Sequence, residues 1–252
     1  MPLDPPPPWV VLDRLPPALF LDVDGTLLEF AAHPAQVRAS AGLVSLLQAV
    51  QDCLGGALAV ISGREVTDLD RVFAPWQPWA AGVHGVEVRG PFGLRRHEPD
   101  PQVVARLRRR AAELTAALPG VWVEDKGVGV TLHHRAAPDA DVAVREVAEA
   151  LAAELGGGYE IQPGVYTQEL RPTGWDKGRA VLELMSMVPF TGRVPVVVGD
   201  DRTDEDAFAA VRRLGGTAVI VGDRPDTVAT HRLADPAAVR AWLAELVEGA
   251  GR

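Results

Sequence analysis

Four short apolar runs punctuate the chain: ALFLDVD at 18–24, ALAVIS at 57–62, VPVVVGD at 194–200 and TAVIVGD at 217–223. They are rich in β-branched residues, nearly unbroken, and end on polar residues. That pattern suits strands of a parallel sheet buried on both faces. Between and beyond them, apolar residues recur with helical spacing at 41–54, 65–73, 175–187, 204–214 and 236–247. Strand alternating with helix predicts an α/β fold, a doubly wound Rossmann-like parallel-sheet core. Ligands of such sheets bind beyond the carboxyl ends of the strands. Three of the runs end there on residues with chemistry to offer: Asp22, Ser62 and Asp200.

The middle of the chain follows another rhythm. Residues 101–118 and 139–155 read as amphipathic helices. VWVED and GVGVTLHHR form an expected hairpin across Lys126-Gly127, and YEIQ and VYTQELR a second across Pro163-Gly164. Helix, two strands, helix, two strands predicts a smaller inserted α+β domain at 98–171. The larger parallel-sheet domain is then discontinuous, 1–97 and 172–252. The leading prolines cannot form helix or sheet and are expected to be a stiff tail.

Composition narrows the classes. Apolar residues make up 47% and charged residues 23% of 252 residues, as in ordinary globular proteins. No apolar run reaches the roughly 18 residues of a membrane span, and the start lacks the basic and apolar regions of a secretory signal. A single cysteine, Cys53, rules out an intrachain disulfide, so the cytoplasm is the expected compartment. A net charge of −9 argues against nucleic acid or an anionic membrane as partner. A monomer is the favoured state. Lysine occurs only at 126 and 177, every other cation among the 25 being arginine. Each surviving lysine marks a place where a compact ammonium suits better than a guanidinium fork.

Four loops carry the candidate chemistry. Asp22 and Asp24 lie two apart in DVDGT at a strand end. Carboxylates that close need a proton or a cation between them, and hard oxygen ligands suit Mg²⁺. Asp200 and Asp201 end another strand; beyond them Thr203 and Asp206 fit a helix capping box. Ser62-Gly63-Arg64-Glu65 reads as a helix cap whose hydroxyl and free N–H groups can bind an anion. Lys177 stands near a helix start, where it opposes the macrodipole, and so is expected to serve function.

DxDGT, then Ser, then Lys, then GDDxxD, in that order at strand ends, resembles the haloacid-dehalogenase-like phosphatase superfamily. The resemblance implies Asp22 as nucleophile and Asp24 as general acid and base. It implies Ser62, Gly63 and Lys177 around the phosphoryl group, and Mg²⁺ held by Asp22, Asp24 and Asp200 with Asp201 and Asp204 in support.

Within that superfamily, LDVDGTL, ISGRE, GVHGVEVR, the E-x-K-x₆-H-x-R spacing from Glu124 to Arg135, QELRPTG to DKG, and GDDRTDEDAF look like the trehalose-6-phosphate phosphatase family. Together they span most of 18–210. The likeness implies a sugar-phosphate substrate gripped by Glu124, Lys126 and Glu169, with Arg135 and His84 as further candidate contacts. His133, His134 and Arg135 are alternatively plain strand-face residues. The short N-terminus leads to the expectation of a stand-alone form without an attached synthase domain. Val23 departs from the tyrosine common at that position, and Trp175-Asp176 precedes the lysine; neither removes a reacting group. Alternatives are a phosphatase for sucrose phosphate or a hexose phosphate, a phosphosugar mutase, and a catalytically silent sugar-phosphate sensor.

Overall fold

The computed structural model describes residues 3–6, 17–30, 37–97 and 99–250. Pro7 and Pro8 of the leading proline run, and Glu98, where the inserted domain is expected to begin, lie outside them. The chain opens with β1 (Pro17–Leu21), α1 (Ala41–Cys53), β2 (Leu58–Ile61), α2 (Val66–Phe73), β3 (Trp79–Gly82), β4 (Glu87–Gly90) and β5 (Gly93–Arg96). There follow α3 (Pro101–Thr115), β6 (Trp122–Asp125), β7 (Val130–His133), α4 (Asp141–Glu154), β8 (Tyr159–Gly164) and β9 (Thr167–Pro172). The chain closes with α5 (Lys177–Met185), β10 (Val194–Gly199), α6 (Glu205–Arg213), β11 (Thr217–Val221), β12 (His231–Leu233) and α7 (Pro236–Ala250).

Two compact units result: one takes the chain up to Arg96 and resumes at Asp176, the other is His97–Trp175. The first holds an eight-stranded sheet in the order β12-β11-β10-β1-β2-β3-β4-β5. Pairing is parallel from β12 to β3 and antiparallel at β4 and β5. Every residue of β1 is buried. Its side chains alternate between faces, so Leu19 and Leu21 join a core with α1, α2 and α7, while Ala18 and Phe20 join one with α5 and α6. From β1 the chain moves to β2 on one side, and much later β10 pairs on the other. β1 and β10 therefore flank the topological switch point of a doubly wound sheet.

The sequence marked four of these eight strands. The other four are short or polar: β3 is WAAG, β12 is three residues, and β4 and β5 form a hairpin whose outer strand is fully exposed. An edge hairpin of this kind has no reason to carry an apolar run.

The second unit has an antiparallel sheet in the order β6-β7-β9-β8. Leu107 and Ala111 of α3 and Val144, Ala148 and Leu151 of α4 pack on Val130, Leu132 and Leu170 of one sheet face. On the opposite face Glu124, Thr131, Glu169 and Gln162 stand side by side across the four strands. Past β9, Thr173 bonds to Gly157 and Gly158, and Trp175 stacks on His97, so this unit runs to Trp175. The second hairpin turns at Val165-Tyr166, not at Pro163-Gly164: Gly164 pairs with Thr167, and Tyr166 takes φ 59°. Pro163 is accommodated in the ladder because β8 is an edge strand. Among the described residues, no helix is long and apolar enough to cross a membrane.

Candidate active site

The loops after β1 and β10 meet at the switch point. The Asp22 N–H donates to the carbonyl of Val198 at 2.9 Å, and the Thr26 hydroxyl donates to Asp200 Oδ1 at 3.0 Å. Gly25, at φ 87°, permits that approach, since a Cβ there would lie 2.2 Å from Asp200 Oδ2. Into this pocket α5 delivers its first residue. The Lys177 Nζ lies 2.6 Å from Asp22 Oδ1 and 2.8 Å from Asp204 Oδ1. The remaining oxygen of Asp204 accepts the backbone N–H groups of Asp200 and Asp201, each at 3.0 Å. Asp204 thus shapes the acidic loop as well as holding the lysine. Asp201 and Asp204 form the capping box of the short helical turn at Arg202–Asp204. The Thr203–Asp206 box expected from sequence is displaced, because Thr203 spends its N–H and hydroxyl on Asp201.

Burial sets the electrostatics. Lys177 is 3% exposed and Asp22 6%. Burial alone pulls the ammonium down, but Asp204 and Asp22 outweigh it, and the Lys177 pKa ends well above its ordinary value. Burial pushes Asp22 up most; Lys177 opposes it, Asp204, Asp200 and Asp201 add to it, and the net position is well above the carboxylate range. Asp200 is pushed up to about 7 by burial and then by Asp204 and Asp201. One lysine does not balance this much buried acid, so a second cation is favoured. Oxygens of Asp22, Asp200 and Asp204 all lie within 4.8 Å of one another. An all-oxygen donor set at that spacing fits a hard divalent cation.

Asp24 stands apart from that cluster. Arg64 grips it with two parallel bonds, Nε to Oδ2 at 2.6 Å and Nη2 to Oδ1 at 2.7 Å, and reaches Asp68 at 2.6 Å with Nη1. Of the expected metal set Asp22, Asp24 and Asp200, the carboxylates of Asp22 and Asp200 are gathered together with Asp204, while that of Asp24 is held by Arg64. Ser62 is buried just past β2, and its Oγ accepts the Arg64 N–H at 3.2 Å. It does not cap α2 with a glutamate partner as read from SGRE. The residue before α2 is Glu65, which makes no side-chain cap bond, and the Val66 N–H is bonded instead by Glu87, 21 residues on.

In the second unit, Glu124 accepts from Lys126 Nζ at 2.7 Å through Oε1 and meets His133 Nε2 at 2.8 Å through Oε2. Burial works against ionisation there, but His133 and Lys126 prevail and take Glu124 down to about 2. Trp122 lies flat on His133, ring centroids 3.9 Å apart and planes 4° apart. Glu169 shares the row, Thr131 standing between it and Glu124. Arg135 is exposed over the Tyr166 ring, and His134 is buried beside Tyr166 and Asp141. His84, expected among the sugar contacts, is buried in the first unit with its ring against Gly63.

Sequence reasoning named the Asp, Ser and Lys loops but gave no role to Arg64, Thr26, Glu87 or Trp122. Arg64 had a signal: an arginine two residues past the serine, on the loop that faces paired carboxylates. Glu87 had none, because a buried acid on a four-residue strand reads as a surface residue.

A family model described as Trehalose-phosphatase matches residues 20–237. The chain is 37% identical over 230 residues to a probable trehalose-phosphate phosphatase of Sinorhizobium fredii, covering 91% of this chain and 87% of that one. It is 38% identical over 227 residues to the trehalose-6-phosphate phosphatase of Escherichia coli, covering 90% and 85%. In fold it is similar to the C-terminal domain of the Candida albicans trehalose-6-phosphate phosphatase, with TM-score 0.85 at 23% identity over 98% of this chain and 99% of that one. With the match spanning most of both the core and the inserted unit, the chain belongs to the trehalose-phosphatase family.

Proposed function

We propose that this protein removes the phosphoryl group from trehalose 6-phosphate in a Mg²⁺-dependent hydrolysis through an aspartyl-phosphate on Asp22. The observation that carries the reading is the buried Asp22–Lys177–Asp204 arrangement with Asp200 beside it. A pure binder of sugar phosphate has no use for a nucleophilic carboxylate held against a lysine. The substrate rests on the names of the relatives and on Glu124 and Glu169 in one row, with Lys126 bonded to Glu124. Mg²⁺ would be held by Asp22 and Asp200, with Asp204 ordering the loop, and would supply charge neutralisation to carboxylate and phosphoryl oxygens.

Asp22 attacks phosphorus, and the phosphorus–sugar oxygen bond breaks. Lys177, already on Asp22 Oδ1, is within reach of the equatorial phosphoryl oxygens and offsets their charge. Ser62 and the Gly63 N–H orient the same oxygens. Asp24 gives a proton to the leaving alkoxide, then takes one from the water that cleaves the acyl phosphate. Both Asp24 oxygens are occupied by Arg64, so proton donation requires that fork to release one. An incoming phosphoryl dianion competes for the same guanidinium and provides the trigger. The inserted unit, His97–Trp175, is assigned as the cap, and Glu124, Lys126 and Glu169 as the residues that bind sugar hydroxyls. The cytoplasm and a monomeric state belong to the same proposal.

Phosphate release across a panel of sugar phosphates, with and without chelator, tests the reading. Trehalose 6-phosphate is expected to be the best substrate and chelator to abolish release. Equal rates on trehalose 6-phosphate and glucose 6-phosphate would remove the assigned substrate.

A further inference from the structure

The segment between β3 and β4 holds a conformation that few sequences accept. Val83 stands at φ 47° and His84 at φ 54°. Two consecutive residues with side chains in the left-handed region, one of them β-branched, persist only where the surroundings over-determine them.

Those surroundings are the phosphate-facing loops. The Val83 N–H donates to the Arg64 carbonyl at 2.9 Å and the His84 N–H to the Ser62 carbonyl at 3.1 Å, while the Ser62 N–H donates back to Ala81 at 2.9 Å. The His84 ring leaves no room above Gly63: a Cβ there would lie 2.7 Å from His84 Nε2. Glu87, 1% exposed, places Oε2 2.7 Å from the Val66 N–H, the first of α2, and its other oxygen takes Arg96. On the opposite side Gly85 presses on the residue before α5, where a Cβ would come 2.8 Å from the Asp176 carbonyl. The segment therefore touches the serine loop at Ser62, Gly63, Arg64 and Val66 through Val83, His84 and Glu87, and the start of the helix that presents Lys177 through Gly85.

We propose that Val83–Glu87 is a brace that sets the phosphoryl pocket, with His84 and Glu87 as positioning residues for the phosphate loop. The inference rests on the phosphatase reading and deepens it: His84 acts on the phosphoryl end of any substrate, through Gly63, and is not a sugar contact. Small displacements of positioning groups cost catalysis heavily, on the order of 100-fold for about 1 Å.

The experiment uses the full chain with Mg²⁺ and two substrates, trehalose 6-phosphate and p-nitrophenyl phosphate, with orthovanadate as a phosphoryl mimic. His84→Asn removes the ring but keeps a residue that tolerates positive φ. It is expected to lower kcat/KM by at least about tenfold on both substrates alike and to weaken vanadate inhibition by a similar factor. Glu87→Gln, which keeps shape and one acceptor, is expected to do the same more mildly. A cycle with Gly63→Ala removes dependence on any single variant. The added methyl meets the ring in the wild type but not in His84→Asn, so the Gly63→Ala loss shrinks in the double variant. All variants are compared at a temperature where each is folded by circular dichroism. Losses confined to trehalose 6-phosphate, with vanadate unchanged, would make His84 a sugar contact and overturn the brace; so would strictly additive losses in the cycle. A wild type that hydrolyses neither substrate would instead remove the phosphatase reading itself.

Discussion

The chain's two lysines each sit between chemistry and carboxylates, and the comparison separates what burial does from what pairing does. Lys177 keeps 4% of its side chain exposed and faces Asp22 and Asp204 at 2.6 and 2.8 Å. Lys126 keeps 19% exposed and faces Glu124 at 2.7 Å. The distances match, yet the acids move in opposite directions. Around Lys177, burial and three further aspartates overwhelm one ammonium, and Asp22 rises. Around Lys126, the bonds from His133 and Lys126 outweigh a shallower burial, so Glu124 falls to about 2. The same pair of residue types is therefore a frustrated, cation-seeking cluster in one unit and a settled polar platform in the other. The first suits charge-developing chemistry; the second suits hydroxyl recognition, where acceptors must stay ionised.

The largest effect that would break this contrast is Asp22→Asn. It is expected to lower turnover by at least about 10³-fold on both trehalose 6-phosphate and an aryl phosphate, with far-UV circular dichroism unchanged. Wild-type-like rates on either substrate would place the nucleophile elsewhere. Lys177→Met comes next. It strands two buried carboxylates, so the protein should lose about 3–5 kcal/mol in denaturant unfolding as well as activity. Lys126→Met strands none, and a stability loss of the same size there would erase the distinction between the two sites.

A third test uses pH. Asp200 at about 7 and the raised Asp22 bind protons in the folded protein that the unfolded chain, with carboxylates near 3.8, releases. Without metal, this contribution to stability is present below about 3.8 and is lost as pH rises towards and through 7. Divalent cations replace those protons, so the rise in Tm caused by Mg²⁺ should be greater at pH 8 than at pH 5. Equal shifts at both would detach the metal from these carboxylates.

A smaller effect sharpens the other half. Lys126→Ala and Glu169→Ala should raise KM for trehalose 6-phosphate by about 10–100-fold, worth roughly 1.4–2.8 kcal/mol, and leave p-nitrophenyl phosphate hydrolysis unchanged. Parallel losses on both substrates would mean that this platform does not read the sugar. The smallest effect concerns Glu124, whose folded pKa is depressed from 4.5 to about 2. Its stabilising contribution is present above about 4.5 and fades as pH falls towards 2, a slope that Glu124→Gln should flatten in acid unfolding.

What was legible in the sequence follows the same division. β1, β2, β10 and β11 are buried on both faces and so carry unbroken apolar runs; their end residues Asp22, Ser62 and Asp200 could be read directly. Lys177 stood out because it opposed the helix dipole, and the structure supplies the reason in Asp22 and Asp204. Long-range partnerships were not legible. Nothing local tells that Glu87 bonds the Val66 N–H or that Asp24 belongs to Arg64. His84 was named through the resemblance of His84-Gly85 to a short His-Gly element of the family; its burial against Gly63 depends on the pairing of β3 with β2 and β4, which no local pattern announces.

The most direct test of the central claim is chemical trapping of the intermediate. The Asp24→Asn variant, which keeps the nucleophile but lacks the base for the second step, is mixed with Mg²⁺ and p-nitrophenyl phosphate, whose leaving group needs no proton, then quenched in acid, digested and examined by mass spectrometry. A phosphoryl group on the peptide that contains Asp22, removed by hydroxylamine, is the predicted result. Turnover by the wild type with no phosphorylated peptide in either protein, or the label on another residue, would contradict it.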